Sequence, residues 1–265
     1  MIDNNEKLIL AVSNIAIQAG KIIMKHYKND SKVNFKKDKS PLTNADLQSN
    51  KLITSELKLL NTEIPILSEE SLIDWDKRKK WNTYWLVDPL DGTKEFINKN
   101  GEFTVNIALI KNNQPILGVI FVPAISILYF AQKNKGSFKI NCLHNLPVFE
   151  KSIRLNVNIK KKSDKIIIIG SRSHSNKKFN NWIKENFLDF AILQKGSSLK
   201  LCEIAEGQAD IYPRFGYTSE WDIAAGKIIL EEAGGSILSL NNKKLTFNVK
   251  ESLINPEFIA SCKIL

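Results

Sequence analysis

One run of ten residues, Tyr84-Trp85-Leu86-Val87-Asp88-Pro89-Leu90-Asp91-Gly92-Thr93, narrows the folds open to this chain more than any other stretch. Tyr84 to Val87 read as a short buried strand. Pro89 cannot continue an interior strand and Gly92 permits a tight turn, so the strand is expected to break off into a loop there. That loop holds Asp88 and Asp91 close together at a strand end, beside the Gly92 and Thr93 N–H groups and the Thr93 hydroxyl. Two carboxylates next to a nest of N–H donors suit a hard cation and a phosphate at once. Asp-Pro-x-Asp-Gly is also simply a good turn, and this stretch alone does not separate the two.

The rest of the chain supplies a layered framework. Apolar residues at Leu8, Ala11, Val12, Ile15, Ala19, Ile22 and Ile23 recur every three or four positions, which predicts a helix over Glu6 to Tyr27. After a polar loop over Lys36 to Pro41, Thr43-Asn44-Ala45-Asp46 opens a second helix running through Leu60, with Leu52, Ile53, Leu57 and Leu60 on its inner face. Asp46 falls in its first turn, either as a charge complementing the helix dipole or as a site carboxylate. Ile64 to Leu67 is a short strand ending in Ser68-Glu69-Glu70, and Asp74 to Asn82 is a polar loop. Four strands follow, over Thr104–Ile110, Ile116–Val122, Ile127–Gln132 and Ser137–Ile140.

Residues Asn141 to Arg154 form the expected boundary between an N-terminal α+β half, 1–145, and a C-terminal α/β half, 146–265. The second half alternates. A β-branched strand over Ile166–Ile169 runs into Gly170-Ser171-Arg172-Ser173-His174 and a helix to Phe187. A strand over Ala191–Gln194 leads through Lys195-Gly196-Ser197-Ser198 to a helix over Leu199–Glu206. A strand over Asp210–Pro213 places Arg214 just after it. Ser219-Glu220-Trp221-Asp222 then opens a helix closed by Gly234-Gly235. Alternation of this kind means helices packed on sheet faces, in layers.

With 265 residues, the chain is long enough for one large domain or two packed halves. The net charge of +10 raises the question of a nucleic-acid partner. Lysine is spread along the chain without a block of five, and the densest runs, Lys77-Arg78-Lys79-Lys80 and Lys160-Lys161-Lys162, read as solvated loops. No nucleic acid is expected; a general positive field favours small anionic substrates instead. Arginine occurs only at 78, 154, 172 and 214, and Arg172 and Arg214 stand in loop contexts where a planar fork could grip phosphate or simply face solvent. Cys142, Cys202 and Cys262 are scattered and form no metal-ligand spacing, which suits reduced thiols and a cytoplasmic setting. The start of the chain lacks the form of a signal peptide, and no apolar run reaches the roughly 18 residues of a membrane span.

Acids now stand at two strand ends and one helix start: Glu69 and Glu70, Asp88 and Asp91, and Asp222. Magnesium ions gripping a phosphate ester would use so many carboxylates, and paired ions about 3.5–4 Å apart stabilise both oxygens of an in-line displacement. Scattered surface acids are the plain alternative. The motifs Ser68-Glu69-Glu70, Asp88-Pro89-Leu90-Asp91-Gly92-Thr93 and Trp221-Asp222-Ile223-Ala224-Ala225-Gly226 with Glu232-Ala233-Gly234-Gly235 are similar to those of the inositol monophosphatase superfamily of lithium-sensitive magnesium phosphatases. The resemblance covers essentially the whole chain, and every motif acid is present. Thr93-Lys94-Glu95-Phe96, Gly101-Glu102-Phe103-Thr104-Val105-Asn106, Gly196-Ser197-Ser198-Leu199-Lys200 and Tyr212-Pro213-Arg214 resemble its bacterial CysQ-type branch, the 3′(2′),5′-bisphosphate nucleotidases.

That resemblance implies an α-β-α-β-α sandwich and two or three Mg2+ ions. It implies that Glu69, Asp88, Asp91 and Asp222 ligate magnesium with the Leu90 carbonyl, and that Glu70 is an outer partner. The Gly92 and Thr93 amides would hold the scissile phosphate. Thr93 and Asp46 would orient and deprotonate the attacking water. Asp222 again, with Ser197, Lys200, Arg214 and His174, would meet the nucleotide and its second phosphate; His174 could equally make only a backbone contact. Trp221 is expected to pack in the core rather than to serve as a substrate platform. The implied reaction is hydrolysis of the 3′-phosphate of adenosine 3′,5′-bisphosphate to AMP, with 3′-phosphoadenylyl sulfate as a related substrate, in sulfur assimilation and nucleotide recycling. Inositol monophosphatase or fructose-1,6-bisphosphatase activity on the same scaffold is the alternative, and a non-catalytic anion binder a more distant one. A monomer or homodimer is expected, with peripheral attachment to the inner face of the cell membrane left open.

Overall fold

The computed structural model describes residues 4–29, 33–35, 41–142, 149–161, 163–172 and 177–265. Helix α1 (Asn4–Lys28) is followed by a small antiparallel pair, β1 (Val33–Phe35) and β2 (Pro41–Thr43), which runs directly into α2 (Asn44–Leu60). Thr43 caps α2 by accepting the Ala45 N–H, and Asp46 returns the favour to the Thr43 backbone, a reciprocal capping box. β3 (Ile66–Ser68), the short α3 (Trp75–Arg78), β4 (Thr83–Asp91), the five-residue α4 (Thr93–Ile97), β5 (Thr104–Lys111), β6 (Gln114–Val122), β7 (Ile127–Gln132), β8 (Gly136–Asn141) and β9 (Ile153–Arg154) come next. Their strands form one seven-stranded sheet in sequence order, parallel between β3 and β4 and antiparallel elsewhere.

The remainder comprises β10 (Ile159–Lys160), β11 (Ile166–Ser171), α5 (Lys177–Asn186), β12 (Phe190–Lys195), α6 (Leu199–Ala205), β13 (Ile211–Arg214), α7 (Glu220–Glu232), β14 (Ser236–Ser239), β15 (Phe258–Ser261) and β16 (Lys263–Ile264). It builds a second sheet in the order β12-β11-β13-β15-β14. The expected boundary at residue 145 lies outside the described residues.

Period-two alternation in the central strands decides what each face covers. On β4, Trp85 and Val87 join Val12, Ile15 and Ile23 of α1 and Ile53 and Leu57 of α2 in one core. Tyr84 and Leu86 turn the other way, into a core shared with Leu201 of α6, Ile228 and Ile229 of α7, and Phe258 of the second sheet. Ile183 of α5 closes the far face of that sheet against Ile166, Ile168 and Ile211. The layers are therefore α1/α2, first sheet, α6/α7, second sheet and α5, the expected α-β-α-β-α sandwich.

Several local expectations need correction. β4 does not stop before Pro89 but continues to Asp91, because a register shift between Asp88 and Asp91 leaves the missing Pro89 N–H outside the ladder. The turn falls at Gly92, whose φ of +89° an L side chain would rarely adopt. Leu60 ends α2 exposed at 41%, while Ala45, Ser49, Ile53 and Leu57, four residues apart, are buried on the inner face with Leu52 partly buried against the same core. The run 77–80 is not all solvated: Arg78 is buried, lies over Trp75, and donates to Asn248 Oδ1 at 2.6 Å and to the carbonyls of Ile73, Lys250 and Glu251. Its planar fork satisfies several carbonyls that a lysine could not reach together. Lys160 pairs with buried Asp210 at 3.5 Å. Residues 6–28 of α1 are long and apolar enough to cross a membrane by length and composition. In the fold this apolarity is core packing, with Val12, Ala16, Ala19 and Ile23 fully buried.

Candidate active site

The acids meet because the ends of β3 and β4 and the start of α7 converge. The bulge in β4 carries Asp88 and Asp91, and Asp88 is buried. Asp222 stands in the first turn of α7, where its Oδ2 accepts the Ser219 N–H at 2.8 Å in a second capping box. Glu69 follows β3 and extends its pairing, its N–H donating to the Val87 carbonyl at 3.1 Å. One carboxylate oxygen from each of Asp88, Asp91 and Asp222 lies within 4.8 Å of the others. Glu69 hydrogen-bonds Asp88 through its side chain.

Such a cluster resists its own ionisation. Burial first, then the charges of Glu69, Asp91 and Asp222, push the Asp88 carboxyl well above its usual range. Burial, with Asp91 and Glu69, does the same to Asp222. Asp91 is also raised by burial, with partial relief from the Ser197 hydroxyl, the Lys200 ammonium and the Ser198 N–H. Buried carboxylates in excess of their cations form a hard, all-oxygen donor set of the kind that Mg2+ or a similar ion takes up. The residues present therefore fit a divalent metal.

Two consequences with opposite pH trends follow. Raised carboxyl pKa values mean that the folded, metal-free protein holds protons that the unfolded chain releases near pH 4. Its stability is greatest at low pH, as far as these groups are concerned, and falls as pH rises through the folded-state values. Metal competes with those protons, so its stabilisation grows with pH. Saturating Mg2+ is expected to raise Tm by roughly 5–10 °C at pH 8, from a linkage of about 2.7 kcal/mol at a hundredfold excess over Kd, and by clearly less at pH 6. Thermal melts of chelator-treated protein with and without Mg2+ at the two pH values check this; equal shifts would contradict it.

Beside the acids stands a hydroxyl–carboxylate pair. Thr93 Oγ1 donates to Asp46 Oδ1 at 3.3 Å and approaches the Leu90 carbonyl at 3.4 Å. Asp46 Oδ2 accepts from the Thr43 N–H at 2.8 Å and its hydroxyl at 2.6 Å. The capping alternative for Asp46 holds: one oxygen caps α2, while the other accepts from the Thr93 hydroxyl. Burial raises its carboxyl, the Thr43 bonds oppose this, and the Glu70 charge adds to the rise. Glu70 is not among the three clustered aspartates. Its own N–H donates to the Ser68 hydroxyl at 3.4 Å.

A cavity of about 720 Å³ opens over these groups, lined by Glu69, Asp91, Gly92, Thr93 and Asp222 and also by Ser197, Lys200 and Arg214. Lys200 is buried; its ammonium donates to the Ser197 carbonyl at 2.5 Å and lies over the Tyr212 ring. Burial pushes its pKa down to about 8, Asp91 opposing and Arg214 adding to the fall. Arg214 donates through Nη2 to the Tyr217 carbonyl at 2.6 Å, while its buried Nε has no hydrogen-bond partner among the described residues. Arg172, read as a possible phosphate grip, is instead engaged by Glu102 at 2.7 and 2.9 Å. His174 lies outside the described residues. Trp221 is half-buried against the central core, as expected.

Sequence reasoning assigned no role to Thr104, Asn106 or Ser198, yet they form a buried hydroxyl–amide cluster behind Asp91. Thr104 Oγ1 lies 2.7 Å from Ser197 Oγ and 2.8 Å from Ser198 Oγ, and Asn106 Nδ2 reaches Asp91 at 3.4 Å. The signal was present as two polar residues in the otherwise apolar run 103–110. A fully buried polar side chain in such a strand needs a partner.

Comparison with known proteins places these features in context. The model of the inositol monophosphatase family matches residues 4–262. The chain is 40% identical to the 3′(2′),5′-bisphosphate nucleotidase CysQ of Salmonella typhimurium over 249 residues, 93% of this chain and 96% of that one. It is 41% identical to the enzyme of that name from Buchnera aphidicola over 96% and 94% of the two chains. The crystal structure of CysQ from Bacteroides thetaiotaomicron, described as a bacterial member of the inositol monophosphatase family, overlays with a TM-score of 0.85 at 40% identity, covering 97% of each chain. The suhB protein of Bartonella henselae overlays at 0.76 with 23% identity, a likeness of fold.

Proposed function

We propose, from the premise that this chain belongs to the inositol monophosphatase family, that it is a 3′(2′),5′-bisphosphate nucleotidase and that its substrate is adenosine 3′,5′-bisphosphate, cleaved to AMP and phosphate. One observation carries the assignment: Asp91 and Asp222, which converge with buried Asp88, line a single cavity with two cations, Lys200 and Arg214. That is the pattern needed to cleave one phosphate while holding another. The full-length similarity to enzymes named for this reaction does not favour the inositol monophosphatase alternative.

Glu69, Asp88, Asp91 and Asp222, with the Leu90 carbonyl, would hold two or three magnesium ions. Bound there, magnesium would neutralise charge on the phosphoryl oxygens and make water more acidic. The remaining work falls to the chain. The Gly92 and Thr93 amides hold the scissile 3′-phosphate. The Thr93 hydroxyl and Asp46 orient the attacking water, and Asp46 accepts its proton; the raised Asp46 pKa makes it a better base near neutral pH. Water oxygen bonds to phosphorus as the bond from phosphorus to the ribose 3′ oxygen breaks, and that oxygen takes up a proton on leaving. Ser197, Lys200 and Arg214, with His174, meet the rest of the nucleotide, the two cations holding the 5′-phosphate.

The test is a panel of adenosine 3′,5′-bisphosphate, inositol 1-phosphate and fructose 1,6-bisphosphate at fixed Mg2+, with the first expected to have the highest kcat/KM. A higher value for inositol 1-phosphate would overturn the substrate assignment. Lithium in the millimolar range is expected to inhibit at saturating Mg2+ by occupying a position among Asp88, Asp91 and Asp222. Activity unmoved by lithium, where sodium is also inert, would speak against this branch of the family.

A further inference from the structure

Glu102 is not part of the cavity lining, yet it lies behind both loops that form the site. It sits between α4 and β5. Its carboxylate accepts a fork from Arg172, Oε1 from Nη2 at 2.7 Å and Oε2 from Nε at 2.9 Å. Oε2 also accepts the Gly196 N–H at 2.8 Å. Burial alone would raise the Glu102 pKa, but the Arg172 fork and the Gly196 N–H outweigh it, and the carboxyl is held below its usual range. Arg172 is itself fixed to the end of β12, with Nη2 donating to the Gln194 carbonyl at 3.1 Å and its backbone N–H to Lys195. A planar fork joined to a carboxylate adds direction as well as attraction.

The backbone packs as closely as the side chains. A Cβ on Gly196 would stand 2.6 Å from Glu95 Cγ and 2.9 Å from the Glu102 carbonyl. A Cβ on Gly92 would stand 3.1 Å from that same carbonyl and 3.2 Å from Ser197 Cβ. Residue 102 is thus wedged between the Asp91-Gly92 loop and the Gly196-Ser197 loop. Ser197, immediately downstream, has φ of +54°, an unfavourable backbone for serine that its surroundings must hold. In that conformation the Ser197 hydroxyl and the Ser198 N–H both donate to Asp91 Oδ2 at 2.6 Å, and the Ser197 carbonyl receives Lys200.

We propose that Glu102, gripped by Arg172, is a positioning residue: it clamps the Gly196–Ser198 loop against Asp91 and thereby sets both the metal-binding carboxylate and the lysine that meets the second phosphate. The clamp spans the two sheets at one end of the cavity, so it couples metal affinity to substrate affinity. It rests on the phosphatase assignment for its kinetic readout and on the geometry alone for its metal readout.

The test compares wild type with Glu102→Gln, Arg172→Ala, Arg172→Lys and the double variant Glu102→Gln/Arg172→Ala. Arg172 is exposed, so its variants keep the fold accessible to measurement even if Glu102→Gln does not. For Glu102→Gln, kcat/KM for adenosine 3′,5′-bisphosphate should fall about tenfold and the Mg2+ needed for half-maximal rate should rise by a similar factor, the scale of losses at residues that orient metal ligands. Arg172→Ala should act in the same direction but less, since Glu102 keeps Gly196, and Arg172→Lys should lie between it and wild type. The double variant should resemble Glu102→Gln rather than the product of the single losses. Unchanged Mg2+ requirement in folded Glu102→Gln, or losses that multiply, would overturn the clamp. So would a lower Tm without a kinetic change, which marks a staple only. If wild type itself fails to cleave the bisphosphate, the phosphatase assignment falls. The Mg2+-induced rise in Tm across the same variants then decides the clamp: a smaller rise in Glu102→Gln sustains it, an equal one overturns it.

Discussion

Asp91→Asn is expected to lower kcat on the order of a thousandfold or more while the protein stays folded. The amide keeps the shape of the side chain, and its oxygen can still accept the Ser197 hydroxyl and the Ser198 N–H that meet Asp91 Oδ2. What disappears is a negative charge that the proposed metal would require. Metal-centred charge stabilisation is worth several kcal/mol, and about 4 kcal/mol corresponds to roughly a thousandfold in rate. The structure also sets the sign of the stability change. Asp91 raises the pKa of both Asp88 and Asp222 by its charge, so removing that charge relieves repulsion. The metal-free Asp91→Asn protein should melt no lower than wild type at pH 8, and it should lose most of its Mg2+-induced rise in Tm. Circular dichroism melts and a phosphate-release assay together check the prediction. Near-normal activity in a folded variant would remove Asp91 from the site, and a collapsed melt would make it a structural residue.

Arg214→Ala is expected to discriminate between substrates rather than to abolish chemistry. Arg214 ends β13 on the cavity wall, away from the aspartate bulge in sequence and held by the Tyr217 carbonyl through one nitrogen. Its remaining donors would suit the 5′-phosphate of the proposed substrate. A charge-assisted hydrogen bond of this kind contributes roughly 1.5–3 kcal/mol, so its loss should lower kcat/KM for adenosine 3′,5′-bisphosphate about tenfold to a hundredfold. Adenosine 3′-monophosphate lacks that phosphate and should barely respond. The ratio of the two losses is the measurement. Lys200→Ala is a less clean probe than the sequence alone suggests. Its ammonium also holds the Ser197 carbonyl next to Asp91, so its removal should weaken both substrates as well as the preference between them. Equal losses for the two substrates in Arg214→Ala would place Arg214 in support of the fold and refute the assigned phosphate pocket.

Much of this molecule was open to local inference because its signals are short-range. The alternation of strands with amphipathic helices called for layers, and Thr43 with Asp46 and Ser219 with Asp222 announced helix starts through capping chemistry that needs only four residues. The unbroken apolar run Tyr84 to Val87 called for a buried strand, and the two cores cover it on both faces. Pro89 misled, because a bulge can hide a missing N–H inside a strand. Lys77-Arg78-Lys79-Lys80 misled as well, because charge composition cannot tell which member of a run turns inward to Asn248, 170 residues away.

Residue types, their order and their local frames are properties of the linear chain: acids at strand ends, a glycine where φ must be positive, capping residues at helix starts. The tertiary structure alone decided which of them meet. Asp222 joins Asp88 and Asp91 only because α7 packs between the two sheets with its N-terminus at the β4 bulge, and Arg172 becomes a partner of Glu102 rather than of solvent only because β11 ends beside the loop before β5. The physical reason is one of range. Propensity, capping and alternation are set within a few neighbouring residues. Convergence of charges depends on how layers stack, and there the burial of apolar faces governs which carboxylates must share a space.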